Sequence, residues 1–102
     1  MLYKRYETVS SGLKNLLLSK DEKLEEEIFF AKFYAGSTSS FHKHKGYEEF
    51  YMIDGELIDD DGKFFKEGDF IKFEKGPKHS SNSKIGCKLL VILYSGTNEQ
   101  TG

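Results

Sequence analysis

The sequence predicts an all-β protein, a sandwich or small barrel built from about eight short strands. Three observations carry this. The chain has 102 residues, the size of one ordinary domain. Its apolar residues fall in short segments rich in Phe, Tyr, Ile and Val instead of recurring at a sustained period of 3.6. The best helical candidate, Leu13 to Leu24, is interrupted by Ser19-Lys20-Asp21. Ten glycines and one proline punctuate the rest, so no segment is long.

Taken in order, Leu13 to Leu18 reads as an N-terminal strand. Glu27 to Tyr34 follows, with Phe29, Ala31 and Phe33 on one face because strand side chains alternate. Read as an edge strand, its phenylalanines would be an aggregation liability unless covered. Phe41 to His44 is the next strand, then Glu48 to Ile53, ended by the turn pair Asp54-Gly55. Glu56 to Asp59 and Lys63 to Lys66 flank Asp61-Gly62, a hairpin signal because glycine tolerates positive φ. Asp69 to Phe73, a short piece over His79 to Ser83, and Cys87 to Tyr94 complete the set. The chain is expected to form a single domain over residues 1–102, with its barrel core at about 13–94. Residues 95–102 are small and polar and are expected to fray.

Composition narrows the function classes. Fifteen basic against seventeen acidic residues give a formal charge of −2, no broad electrostatic reason to bind nucleic acid. The longest apolar run, Leu89 to Tyr94, is six residues, against roughly 20 for a membrane helix. The start, Met1 to Glu7, has no apolar secretory core. One cysteine, Cys87, rules out an internal disulfide framework and a Cys-rich zinc site. The expectation is a cytoplasmic protein with no nucleic-acid or membrane partner.

The chemistry centres on the three histidines, His42, His44 and His79. In a strand, His42-Lys43-His44 turns both imidazoles to one side, as two ligands on one metal require. Glu48 lies four residues beyond His44. A loop over Lys45-Gly46-Tyr47 resets the register, so parity leaves the face of Glu48 open. Nitrogen ligands with one carboxylate suit a divalent transition metal (Fe(II), Mn, Ni, Cu or Zn) over Mg or Ca. An HxH pair by itself is more often two surface histidines on an edge strand. The frame around this one decides the matter.

Gly36, five residues, His42-x-His44, three residues, Glu48, six residues and Gly55 resemble the first motif of the cupin superfamily. Gly68, five residues, Glu74-x-Gly76, two residues and His79 resemble the second. Glu74 stands where that family usually has proline, and Ser83 where it often has asparagine; neither removes a ligand. The string Glu48-Glu49-Phe50-Tyr51-Met52-Ile53-Asp54-Gly55-Glu56-Leu57, then Asp59-Asp60-Asp61-Gly62 and Gly86-Cys87, is similar to the ChrR-like cupins. Those form the C-terminal half of ChrR-type anti-sigma factors and have acetylacetone-cleaving dioxygenases as relatives. The resemblance implies a small cupin barrel (a double-stranded β-helix or jelly roll) with His42, His44, Glu48 and His79 as metal ligands. It implies either a sensor or regulatory module or a non-haem dioxygenase of a small ketone or diketone. A homodimer is expected on the same ground. The helical sigma-binding domain of the anti-sigma factors is expected to be absent, because only about a dozen residues precede the barrel.

Phe50 and Met52 share parity with Glu48 and are candidates to line a small-molecule pocket, although such side chains in a small barrel are more often core. Ser81 and Ser83, in parity with His79, are candidates to hydrogen-bond a ligand, although serines on a strand more often face water. Cys87 reads as a small buried hydrophobe sooner than a redox thiol. Setting Gly62 at position six of a calcium loop puts Leu57 at position one and Gly68 at twelve, so Asp59-Asp60-Asp61 reads as a solvated hairpin turn. The acidic run Glu25-Glu26-Glu27 with Asp21 and Glu22 reads as a solvated loop.

Overall fold

A computed structural model describes residues 6–10, 12–39, 42–43, 47–73, 78–94 and 99–100 of the chain. Among these residues there are twelve strands and no helix. They are β1 (Glu7–Ser10), β2 (Leu13–Asp21), β3 (Glu26–Phe33), β4 (Ser37–Thr38), β5 (His42–Lys43) and β6 (Glu48–Asp59). Then come β7 (Phe64–Lys66), β8 (Phe70–Phe73), β9 (Lys78–His79), β10 (Ser81–Ser83), β11 (Cys87–Tyr94) and β12 (Glu99–Gln100). The main sheet runs β1-β2-β3-β11-β6-β10-β4, with β7 and β8 also on β6, and a smaller sheet runs β12-β5-β9. No described helix is long and apolar enough to cross a membrane.

The long β6 organises the molecule. Its buried residues are Glu48, Phe50 and Met52 in the first half, then Leu57 and Asp59 in the second. The inward parity therefore switches partway along. The cause is a bulge: Leu89 pairs with Met52 and Lys88 with Asp54, so Ile53 is the extra residue. Asp54-Gly55 does not end a strand, contrary to the turn reading. Gly55 takes a φ of 80° and lets the chain bend without breaking its pairing to β11. The turn at Asp61-Gly62 forms as expected, with Ile58 opposite Phe64, Asp59 N–H donating to the Lys63 carbonyl at 2.9 Å and Gly62 N–H to the Asp59 carbonyl at 2.9 Å.

β3 lies between β2 and β11, so its phenylalanines are inside a sheet and not on an edge. β2 runs through Ser19-Lys20-Asp21, absorbing the break as a bulge between Leu17 and Ser19. The polar stretch after Tyr94 is not all unpaired, since Gln100 pairs with His42 and Glu99 with Lys43. β1, which the sequence reading left out, pairs with β2.

The core collects the inward residues of β3, β6 and β11: Ala31, Phe33, Phe50, Met52, Leu57, Cys87, Leu89, Val91 and Leu93. Leu13, Phe29, Phe65, Ile71 and Phe73 pack against them. The strict alternation of β11, buried at every odd position from Cys87 to Leu93, is what a strand with one face on a core should show. Phe50 makes an edge-to-face contact with Phe65 at 5.6 Å and a tilted one with Phe73 at 5.7 Å, an arrangement that adds to plain burial.

Candidate metal centre

One antiparallel ladder brings the histidine segments together. Ser37 pairs with Ser83 and Thr38 with Asn82 between β4 and β10. Ser39 N–H donates to the Ser81 carbonyl at 2.8 Å, and Ser81 N–H donates to Ser39 Oγ at 3.0 Å. The same two chain segments pair again in β5 and β9, where His42 stands opposite His79 and Lys43 opposite Lys78. Two residues, 40 and 41, separate these pairings on one side and Ser80 alone on the other, so the register slips by one. His42 and His79, far apart in sequence, are thus direct strand partners. Both are described through their strand backbone, and His44 lies outside the described residues.

Glu48 opens β6 and is 8% exposed. It sits between Leu93 of β11 and Phe73 of β8, in the inward column that continues to Phe50 and Met52. A carboxylate in that position is held away from bulk water by apolar neighbours. Phe50 and Met52 are 4% and 0% exposed and belong to the core cluster.

Ser81 is buried, and its Oγ donates to Asp59 Oδ1 at 2.6 Å. The polar lining extends to Ser83, whose hydroxyl donates to the Glu56 carbonyl, and to Ser37, whose hydroxyl donates to the Tyr34 carbonyl at 2.6 Å. Asp59 was not singled out by sequence reasoning, which placed it in a solvated turn. It is 3% exposed, whereas Asp60 and Asp61 face solvent. Local sequence carries no signal for it: the parity change before Gly55, which turns Leu57 and Asp59 to the side of Met52, is set by pairing with β11. Asp59, Asp60 and Asp61 bring ligand atoms within 4.8 Å of one another, the one such group among the described residues. Two of its three members are turn residues in water.

Cys87 is buried beside Phe33 and Gly55, as the sequence reading favoured. Burial pushes its thiol from 9.0 up to about 11; a hydrogen bond with Ser83 opposes the rise and the charge of Asp54 adds to it. Such a thiol keeps its proton at neutral pH and is a poor nucleophile or metal ligand. A cleft of about 500 Å³ lies near Cys87, lined among others by Lys32, Tyr34, Asp54 and Lys88. It lies at the Cys87 end of β11, beside the bend at Asp54-Gly55 partway along β6, away from the pairing of Glu48 with Leu93.

Comparison with known proteins agrees with this architecture. An RmlC-like cupin from Shewanella frigidimarina superposes with a TM-score of 0.81 at 22% identity, covering 91% of this chain and 85% of that one. An acetylacetone dioxygenase from Acinetobacter johnsonii gives 0.80 at 15% identity, with 87% and 67% covered. The structure of Rhodobacter sphaeroides SigE in complex with the anti-sigma ChrR gives 0.78 at 20% identity; 87% of this chain matches, over 48% of the other. At these identities the likeness is one of fold. No curated protein matches the chain by sequence. The sequence profile of the ChrR Cupin-like domain, however, spans residues 3–95. With the barrel, the histidine ladder and this match together, the chain belongs to the ChrR cupin-like domain family.

Proposed function

We propose that the protein is a metal-binding cupin module of the sensor or regulatory type, holding one divalent transition metal through His42, His44, Glu48 and His79. The observation that carries this is the direct pairing of His42 with His79 across β5 and β9. Directly opposed residues of an antiparallel pair share a face of the sheet. Ser81 and Ser83, two and four residues on from His79 along the same segment, are both buried in the interior. The donor set fits such an ion: imidazole nitrogens and one carboxylate are ordinary ligands of Zn, Fe(II), Mn and Ni. Four protein ligands satisfy tetrahedral zinc completely, and a closed site suits structural or sensing work. The ChrR structure carries the same fold, which is in keeping with a regulatory role.

A second reading, a metal-dependent dioxygenase of a small ketone or diketone, is favoured by one feature. Glu48 shares its inward column with Phe50 and Met52, an apolar lining able to exclude water from a chelating substrate. When bound, an iron ion there supplies Lewis acidity and an exchangeable electron. This chain's residues fix the ion and shield it.

Elemental analysis of protein purified without chelators tests the site, and oxygen uptake with Fe(II) and a panel of diketones separates the readings. One equivalent of zinc with no oxygen uptake supports the sensing module. Iron-dependent uptake that disappears in Glu48→Ala supports the oxygenase. Metal content unchanged in both His42→Ala and His79→Ala would falsify the ligand set.

A further inference from the structure

The cleft of about 500 Å³ opens where β3 ends and β11 begins, and the metal-binding reading makes no use of it. Among its lining residues, Phe33 and Cys87 are buried strand partners, whereas Tyr34 and Ile85 remain 43% and 63% exposed. A volume of that order accommodates a small organic molecule. The exposed ring and aliphatic side chain leave apolar surface in water that the body of such a molecule would cover.

Cations gather at this cleft. Lys32 stands directly opposite Lys88 across β3 and β11, and Lys14 directly opposite Lys32 across β2 and β3. Like charges placed this way cost stability unless something compensates them. The compensation present is partial. The Lys14 and Lys32 ammoniums lie 5.5 and 5.3 Å from the Tyr34 ring centroid, so one ring serves two cations, and that of Lys88 lies 4.8 Å from the Phe30 centroid. Asp54, opposite Lys88 on β6, is the one carboxylate among the lining residues. The ion pair found among the described residues joins Lys63 to Asp61 and includes none of the three lysines. Three cations against one carboxylate make this end of the sheet positive, on a chain whose formal charge is −2. A concave surface of one sign concentrates ions of the other.

We propose that this cleft is a second binding site, separate from the metal centre, for a small organic anion: an acidic head group on a flat apolar body. The order of the row is Lys14, Lys32, Lys88, Asp54. Two strand spacings, about 10 Å, separate Lys32 from Asp54, so the head group settles on the Lys32 side and relieves the repulsion within the lysine row. The apolar body lies against Tyr34 and Ile85. Cys87, which keeps its proton at neutral pH, adds no negative charge to oppose the ligand. Neither His42, His79 nor Glu48 lines the cleft, so binding there does not require a metal.

Titration of the isotope-labelled full chain with naphthoate, followed through its backbone amides by NMR, tests the site. Saturable shifts are expected at Lys32, Tyr34, Gly86 and Lys88, larger than those at Phe50 and Leu93, with a Kd of about 1 mM or tighter. Naphthalenemethanol, the same ring system without the charge, should bind at least about tenfold more weakly. Raising salt from about 0.05 to about 0.5 M should weaken naphthoate severalfold, because attraction between exposed charges is screened. Lys32→Gln with Lys88→Gln should bring naphthoate down about tenfold to the level of the alcohol, with the alcohol's affinity and the circular dichroism spectrum unchanged. Asp54→Asn should tighten naphthoate. No saturable shift at about 10 mM naphthoate, or equal affinity for acid and alcohol in the wild type, overturns the inference. Shifts centred on Phe50 and Leu93 overturn it as well, because the ligand then sits at the metal centre. Inorganic phosphate binding as tightly as naphthoate would do the same, since the site would then have no use for an apolar body.

Discussion

Burial holds the Cys87 thiol up at about 11 from 9.0, and that shift is also a statement about stability. The folded chain keeps the thiol proton to higher pH than the unfolded chain, so between about pH 9 and 11 the unfolded state binds fewer protons. Stability contributed by the neutral buried thiol is therefore complete below pH 9 and is lost as pH rises through that window. Two units correspond to about 2–3 kcal/mol. Urea unfolding at pH 8 and pH 10.5 should show the loss in the wild type, and Cys87→Ala should flatten this part of the profile. The Ser81–Asp59 pair is a second single-residue device. Ser81 Oγ donates to the buried carboxylate at 2.6 Å, and Ser81→Ala removes that donor while leaving the other contacts of Asp59 in place. A loss of about 1–3 kcal/mol is expected; a loss below about 0.5 kcal/mol would show that water replaces the hydroxyl at no cost.

The element that decides the barrel is β6, and its hinge is Gly55. A Cβ at that position would lie 2.1 Å from the Gly86 carbonyl oxygen and 2.6 Å from Cys87 Cα. Backbone cannot yield there without parting β6 from β11. Gly55→Ala is therefore expected to cost more than the roughly 1–2 kcal/mol of left-handed strain alone, and Gly62→Ala only about that strain, since nothing crowds a Cβ at Gly62. Comparing their denaturation midpoints checks the difference. The same element shows where the sequence was legible and where it was not. Strands built on alternation, such as Cys87 to Tyr94, and the Asp61-Gly62 hairpin could be read directly, because period and turn chemistry are local. Asp54-Gly55 looks like a turn by the same local criteria. What makes it a bulge is pairing with a β11 residue more than thirty positions away, which local composition does not encode. The histidine motif was legible through its spacing, but the opposition of His42 and His79 depends on a one-residue slip near Ser80 that spacing does not reveal.

Across the whole molecule, β4 with β5 must find β9 with β10 over a long intervening chain, and the joined strands are only two or three residues each. Closing that loop costs chain entropy, while strands so short return few hydrogen bonds. The ladder is thus the part of the barrel expected to depend most on a cross-link, and on the proposed ligand set a metal supplies one by tying His42 and His44 to His79. A ligand that binds the folded state alone stabilises it by RT ln(1 + [L]/Kd), about 2.7 kcal/mol at a hundredfold excess over Kd. For a domain of this size that is a rise in Tm of roughly 10–20 °C. Removing metal with a chelator should lower Tm by that order, and hydrogen exchange should rise first at Ser39, Ser81 and the β5–β9 pair while β3 and β11 stay protected. His79→Ala should lose the metal-dependent part of Tm and leave the metal-free value near that of the chelated wild type. Equal Tm with and without metal, with exchange at Ser81 unmoved, would mean that the short ladder holds on backbone pairing alone and that no ion bridges it.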